Sequence, residues 1–168
     1  LLTFVRTDLL DRWQLALSEN APNRFIINVQ DDQVAAVRRH IAEAGIGEPV
    51  LFPMIRARLV EVNGETVSGA DYAERGERAQ RMAEREFNLS VAGGLREDNE
   101  VVAGRFWSGT PSSPELSVEE DFAKTLGWNI GDTVGFDIAG QPFEARITSL
   151  RTVDWESFKP NFFVVASP

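Results

Sequence analysis

Apolar residues recur three or four apart through the first seventeen positions: Leu2, Val5, Leu9 and Trp13, with Leu10 and Leu17 beside them. That spacing predicts a helix with a broad apolar stripe. Arg6 and Asp8 interrupt the stripe. The pattern fits a membrane helix at the point where it leaves the bilayer, and equally an amphipathic helix packed on its own domain. Asn20-Ala21-Pro22-Asn23 reads as a turn. Arg24-Phe25-Ile26-Ile27-Asn28-Val29 reads as a buried strand. Asp31 or Asp32 then caps a helix carrying Val34, Val37, Arg38 and Ile41 at helical spacing, with Gly45 as its stop. Val50-Leu51-Phe52 and Ile55 to Val62 read as strand, closed by a tight turn at Asn63-Gly64. Strand, helix and strand across 24–62 compose a split βαβ-type unit.

The pattern changes over 68–86. Glu74 with Arg78, and Glu77 with Arg81, are i,i+4 pairs on a charged helix weakened by Gly76. Short strands follow around Phe87–Val91 and Val101–Trp107, separated by Gly93-Gly94, and then a loop from Gly109 to Pro114. Ser117-Val118-Glu119-Glu120 has the form of a capping box for a helix through Phe122, Ala123 and Leu126 that stops at Gly127. Val134, Phe136 and Ile138 alternate on one strand and Phe143, Ala145 and Ile147 on the next, with Glu144, Arg146 and Thr148 facing out. That is a half-buried hairpin. A final strand is expected near Phe162–Val165. These readings place a helix near 118–126 and a hairpin near 133–151.

Composition narrows the function classes. A formal charge of −9 over 168 residues disfavours a phosphate backbone, so no nucleic-acid partner is expected. No cysteine is present, which removes thiolate metal sites and cysteine nucleophiles. No run of about 18 apolar residues occurs, so these residues do not by themselves form a membrane span.

Candidate chemistry is sparse. His40 is the sole histidine and lies late in a predicted helix, where a histidine interacts well with the dipole. The acidic groups Asp31/Asp32, Glu97/Asp98 and Glu119/Glu120/Asp121 lack calcium-loop spacing and read as structural acids. No P-loop, GxGxxG or nucleophile elbow is present. The densest unusual stretch runs from Ser149 to Phe163. Its candidate interaction or structural residues are Arg151, Asp154, Trp155, Phe158, Asn161 and Phe162. They read either as a loop pinned to the core by Trp155, with Arg151 and Asp154 bonding locally, or as an exposed aromatic patch for a partner.

Several segments carry a resemblance: Leu126-Gly127 with Gly131-Asp132, Phe136 to Gln141, Ser149-Leu150-Arg151, Val153-Asp154-Trp155 and Pro160-Asn161-Phe162-Phe163. With Arg6 to Leu10, Phe52 to Arg58, Arg85 to Ser90 and Ala103-Gly104-Arg105, the chain resembles the extracytoplasmic domain of FtsX/MacB-type ABC transporter permeases. More narrowly, it is similar to the bacterial subgroup associated with lysophospholipase biosynthesis. The resemblance implies an α+β, two-lobed MacB-like periplasmic domain held in the inner membrane protein. Residues 1–17 would be a membrane-proximal helix, 18–67 a βαβ porter-like lobe and 68–168 a strand-rich second lobe. It implies a cytoplasmic ATPase as partner and an extracytoplasmic protein or lipid-like substrate. It supplies no catalytic, cofactor-binding or metal-ligating residue, so neither an enzyme nor a cofactor is expected.

Two other classes compete. Helix, Leu126-Gly127, Gly131-Asp132 and strand also resemble a double-psi barrel motif, which implies a substrate- or cofactor-binding domain of an oxidoreductase. That reading leaves the unit at 24–62 unexplained. A secreted hydrolase would need a site that these residues do not display.

Overall fold

The computed structural model describes residues 24–168, so the helix expected at 1–17 and the turn at 20–23 lie outside the described residues. The chain is α+β. It divides into two compact units, one comprising Leu1–Phe52 with Glu156–Lys159 and the other Pro53–Trp155 with Pro160–Pro168. The division at Phe52/Pro53 puts the strand beginning at Ile55 in the second unit, together with everything from 68 to 155.

In the first unit, a 3-10 turn at Asp31–Gln33 leads into α1, Val34–Glu43. Val34, Val37, Arg38 and Ile41 form its half-buried stripe, as their spacing predicts. The helix entry differs from the expected aspartate cap. Gln33 Oε1 accepts from the Gln30 backbone N–H at 3.1 Å, because the 3-10 turn places Asp31 and Asp32 inside the helical run. At the exit, Gly45 takes φ 70° while its N–H reaches the Ala42 carbonyl. The strand expected at Arg24–Val29 does not form. Asn28 adopts φ 59°, which breaks the extended run, and Phe25, Ile26 and Ile27 stay exposed. Val50–Phe52 forms no strand either, so the βαβ unit is absent from the described residues.

The second unit is built on eight strands: β1 Ile55–Val62, β2 Glu65–Thr66, β3 Phe87–Val91, β4 Asn99–Gly104, β5 Glu115–Glu119, β6 Thr133–Ile138, β7 Gln141–Val153 and β8 Val164–Ala166. Their pairings return to their starting point. β1 pairs β3, β3 pairs β8, β8 pairs β5, β5 pairs β7, β7 pairs β6, and β6 pairs β1. A sheet closed on itself is a barrel and leaves no free edge in the ring. Two of the six pairings, β3–β8 and β5–β7, are parallel. β2 and β4 lie off the ring, on β1 and β7.

Alternation along the strands fills this barrel. Each ring strand contributes two nearly fully buried residues: Ala57 and Leu59, Phe87 and Leu89, Leu116 and Val118, Val134 and Phe136, Ala145 and Ile147, Val164 and Ala166. They belong to one apolar cluster. Register pairs such as Ala57 with Phe87, Leu89 with Val164 and Val134 with Ala145 keep them on the same face. The interior is a packed core, as in other narrow barrels. Register shifts in the β1–β6 and β5–β7 pairings supply bends that help the ring close.

Two helices extend the core. α2, Glu77–Glu84, buries Ala79 and Ala83 and exposes its charges. The Glu77–Arg81 ion pair forms at 3.2 Å. The expected Glu74–Arg78 partner does not, because Gly76 at φ 102° separates a 3-10 turn, Gly69–Arg75, from α2. α3, Glu120–Leu126, buries Phe122, Ala123 and Leu126. Its cap is Glu119, whose Oε2 accepts from Phe122 N–H at 2.7 Å, in place of the expected Ser117. Ser117 belongs to β5 and pairs its hydroxyl with Ser149 at 2.8 Å. Around Phe87 gather Phe122, Trp128 and Phe136, with ring centroids 5.6–6.0 Å from it.

Candidate functional site

β7 is long enough to serve two neighbours. Its first half completes the barrel against β6, and its second half carries β4. Arg151 lies in that second half, opposite Val101 on β4 and Glu119 on β5. It is 1% exposed, the largest fully buried side chain among the described residues. Burying a guanidinium is costly unless its donors are met. Here Nη1 donates to the carbonyls of Ser117 at 3.5 Å and Phe163 at 3.4 Å, and Nη2 donates to the Phe162 carbonyl. Burial pulls the guanidinium down to about 10, opposed by the nearby Glu119 carboxylate. It therefore stays charged at neutral pH.

Arg151 is one member of a clamp on Pro160-Asn161-Phe162-Phe163. Arg96 donates from Nη1 to the Pro160 carbonyl and pairs through Nε with Asp98 at 3.3 Å. Asn161 donates to Asp98 Oδ2 at 2.6 Å and accepts from Asn99 Nδ2 at 2.9 Å. Glu119 N–H donates to the Phe163 carbonyl at 2.8 Å. On the other side of the loop, Asp154 N–H donates to the Asp98 carbonyl at 2.8 Å. Each residue of the Pro-Asn-Phe-Phe run is thus fixed by its backbone or side chain, and Asp98 holds both Asp154 and Asn161. Among the described residues no buried side-chain nitrogen or oxygen lacks a partner.

The aromatics do not share this burial. Trp155 is 48% exposed and Phe163 45%, with ring centroids 5.3 Å apart. Phe163 stacks at 4.9 Å on Phe122, and Phe122 meets Phe87 in the core. Arg151 bonds to Phe162, Phe163 and the distant Ser117, and the Asp154 backbone to the distant Asp98, so the pins are Arg151, Arg96 and Asp98, with Trp155 lying on the outside. Phe162 is half-buried. Phe158, at φ 54° and 45% exposed, falls in the Glu156–Lys159 segment of the first unit. No local spacing links Arg96, Asp98, Asn99 or Glu119 to this loop, so the sequence does not mark them as its partners. Phe163 was legible in the motif itself.

Other candidates stay apart. His40 is exposed on α1. Among the described residues no group of three or more His, Cys, Asp or Glu is arranged to hold a metal ion, and no helix is long and apolar enough to cross a membrane. Leu126-Gly127 and Gly131-Asp132 join α3 to β6. Asp132 Oδ2 accepts from Asn129 N–H at 2.8 Å and Oδ1 from Asn63 Nδ2 at 3.0 Å, so this motif fastens a turn.

No family profile matches the chain. Its similarity is to a segment of an ABC transporter permease. The relative is the uncharacterized ABC transporter permease YbbP of Escherichia coli (strain K12), 39% identical over 165 residues. The match covers 98% of this chain and 19% of that protein, so the chain spans about a fifth of the relative's length.

Proposed function

We propose that this chain is a non-catalytic extracytoplasmic domain of an ABC transporter permease, which relays ATP-driven movement of the membrane helices to an amphiphilic substrate or a partner protein. The carrying observation is the 39% identity running through nearly the whole chain to part of a much longer permease. A cytoplasmic ATPase subunit is the partner through the full-length permease. The narrower assignment, to the subgroup associated with lysophospholipase biosynthesis, rests on the Val153-Asp154-Trp155 and Pro160 to Phe163 motifs.

The second unit suits a relay. A closed barrel packed with side chains deforms little, since interiors are close-packed and of low compressibility. Clamping of residues 160–163 by β5, β7 and the 96–99 segment extends that stiffness to the surface. Barrel architecture alone does not argue for an oxidoreductase, because one fold hosts many functions and the site decides among them.

The reading is tested by spin labels in the full-length permease with its ATPase, one in the first unit at Ala35 and one in the second at Ser112. The distance between them is expected to change between the nucleotide-free and ATP-trapped states. Identical distance distributions in both states would sink the relay.

A further inference from the structure

The hairpin between β1 and β2 turns on two residues, Asn63 and Gly64, since Val62 pairs with Glu65. Both take positive φ, 52° and 81°, a conformation that asparagine followed by glycine adopts readily. Asn63 also clasps the start of β6. Its N–H donates to the Thr133 carbonyl at 2.8 Å, its Oδ1 accepts from Thr133 N–H at 2.9 Å, and its Nδ2 donates to Asp132 Oδ1 at 3.0 Å. The other Asp132 oxygen accepts from Asn129 N–H at 2.8 Å. Both ends of the Asn63 amide are thus held, although the residue is exposed to water.

An asparagine followed by glycine carries its own reaction. The Gly64 nitrogen attacks Asn63 Cγ, the new C–N bond closes a succinimide ring, and the Cγ–Nδ2 bond breaks. Nδ2 leaves as ammonia, taking the proton that the Gly64 nitrogen gives up. Water then opens the ring to aspartate or isoaspartate, with no oxidant or reductant required. Glycine has no side chain to obstruct the attack, and Asn63 is the only asparagine in the chain with glycine after it. The side-chain amide must first turn its carbon towards the Gly64 nitrogen, and the bonds to Thr133 and Asp132 oppose that turn.

We propose that Asn63 is a site of spontaneous deamidation, restrained while the clasp is closed, whose product cannot re-form the clasp. The product lacks the Nδ2 donor and sets a second carboxylate against Asp132, and like charges at that range repel. Local opening of the hairpin is therefore the gate to a one-way change that unfastens β1–β2 from the start of β6. The reaction needs neither a membrane nor ATP, so it stands apart from the relay proposed above.

The test incubates the full 168-residue chain at mildly alkaline pH and follows conversion at Asn63 by peptide mass mapping, with isoaspartate as the marker. Conversion is expected to be slow in the folded parent, several-fold faster in Asp132→Ala, and fastest in urea. The amide NMR spectrum of Asp132→Ala separates a released side chain from a lost fold. A parent that converts as fast as the chain in urea, or an Asp132→Ala variant that converts no faster than the parent, would overturn the restraint. Asn63→Asp supplies one product directly, without waiting for the reaction. It should unfold at a lower urea concentration than the parent at neutral pH. An unchanged midpoint would mean that the clasp closes again over the carboxylate, and would overturn the one-way change.

Discussion

Arg151 and Trp155 lie four residues apart and do opposite things. The guanidinium is buried because three carbonyls and the Glu119 field compensate its lost water. Arg151→Ala removes a charged donor from each of those carbonyls and empties a buried site, and is expected to cost about 2–4 kcal/mol in urea unfolding. Arg151→Lys should recover little, because an ammonium cannot reproduce the planar fork. Trp155→Ala, at a half-exposed position, should stay within about 1 kcal/mol of the parent. A reversed order of these costs would contradict the division between a buried clamp and an exposed ring. Tyr72 offers a second probe at this scale. It is the only tyrosine, its hydroxyl accepts from Trp128 Nε1 at 3.2 Å, and burial raises its pKa above the ordinary value near 10. A raised phenol means the neutral form is favoured in the fold. Its contribution is therefore complete below pH 10 and is lost as pH climbs through the folded pKa. Phenolate absorbance of the native chain should lag behind that of the denatured chain; overlaid curves would contradict the buried placement.

At the scale of elements, α3 shows how one helix end is closed. Gly127 takes φ 71°, and Arg75 donates to the carbonyls of Lys124 at 3.2 Å and Thr125 at 3.2 Å. A Cβ on Gly127 would lie 2.4 Å from the Arg75 guanidinium carbon. Gly127→Ala is therefore expected to cost about 1–2 kcal/mol from the left-handed backbone alone, with more from the collision. Combining it with Arg75→Ala should cost less than the sum of the two changes, as read by a double-mutant cycle. Simple additivity would mean that the two residues do not meet. Elements like this one were largely legible. The helical spacing of α1, the alternation of β6 and β7 and the stop at Gly127 all follow from local pattern. Local pattern failed where a partner decides the outcome. Arg24–Val29 has the composition of a strand, yet composition cannot supply a neighbour or prevent Asn28 from turning. Ser117 has the form of a cap, yet β5 claims it. The Arg151 clamp was half legible: the motif marked the loop, while Arg96, Asp98 and Glu119 arrive from distant sequence.

At the scale of the molecule, closure is the property local reading could not reach. Six strands, two parallel pairings and two register shifts produce the barrel only together. Closure also makes the second unit stiff, and stiffness suits a relay inside a larger permease. The central claim, that this segment sits outside the cytoplasmic membrane within such a permease, has a direct test. The chain contains no cysteine, so a single one introduced at Ser112, in the loop between β4 and β5, gives an unambiguous label within it. In the full-length protein, with any other cysteines replaced, a membrane-impermeant maleimide is expected to label that position in intact spheroplasts as fully as in lysed ones. Labelling only after lysis would place the domain in the cytoplasm and contradict the permease reading of its position.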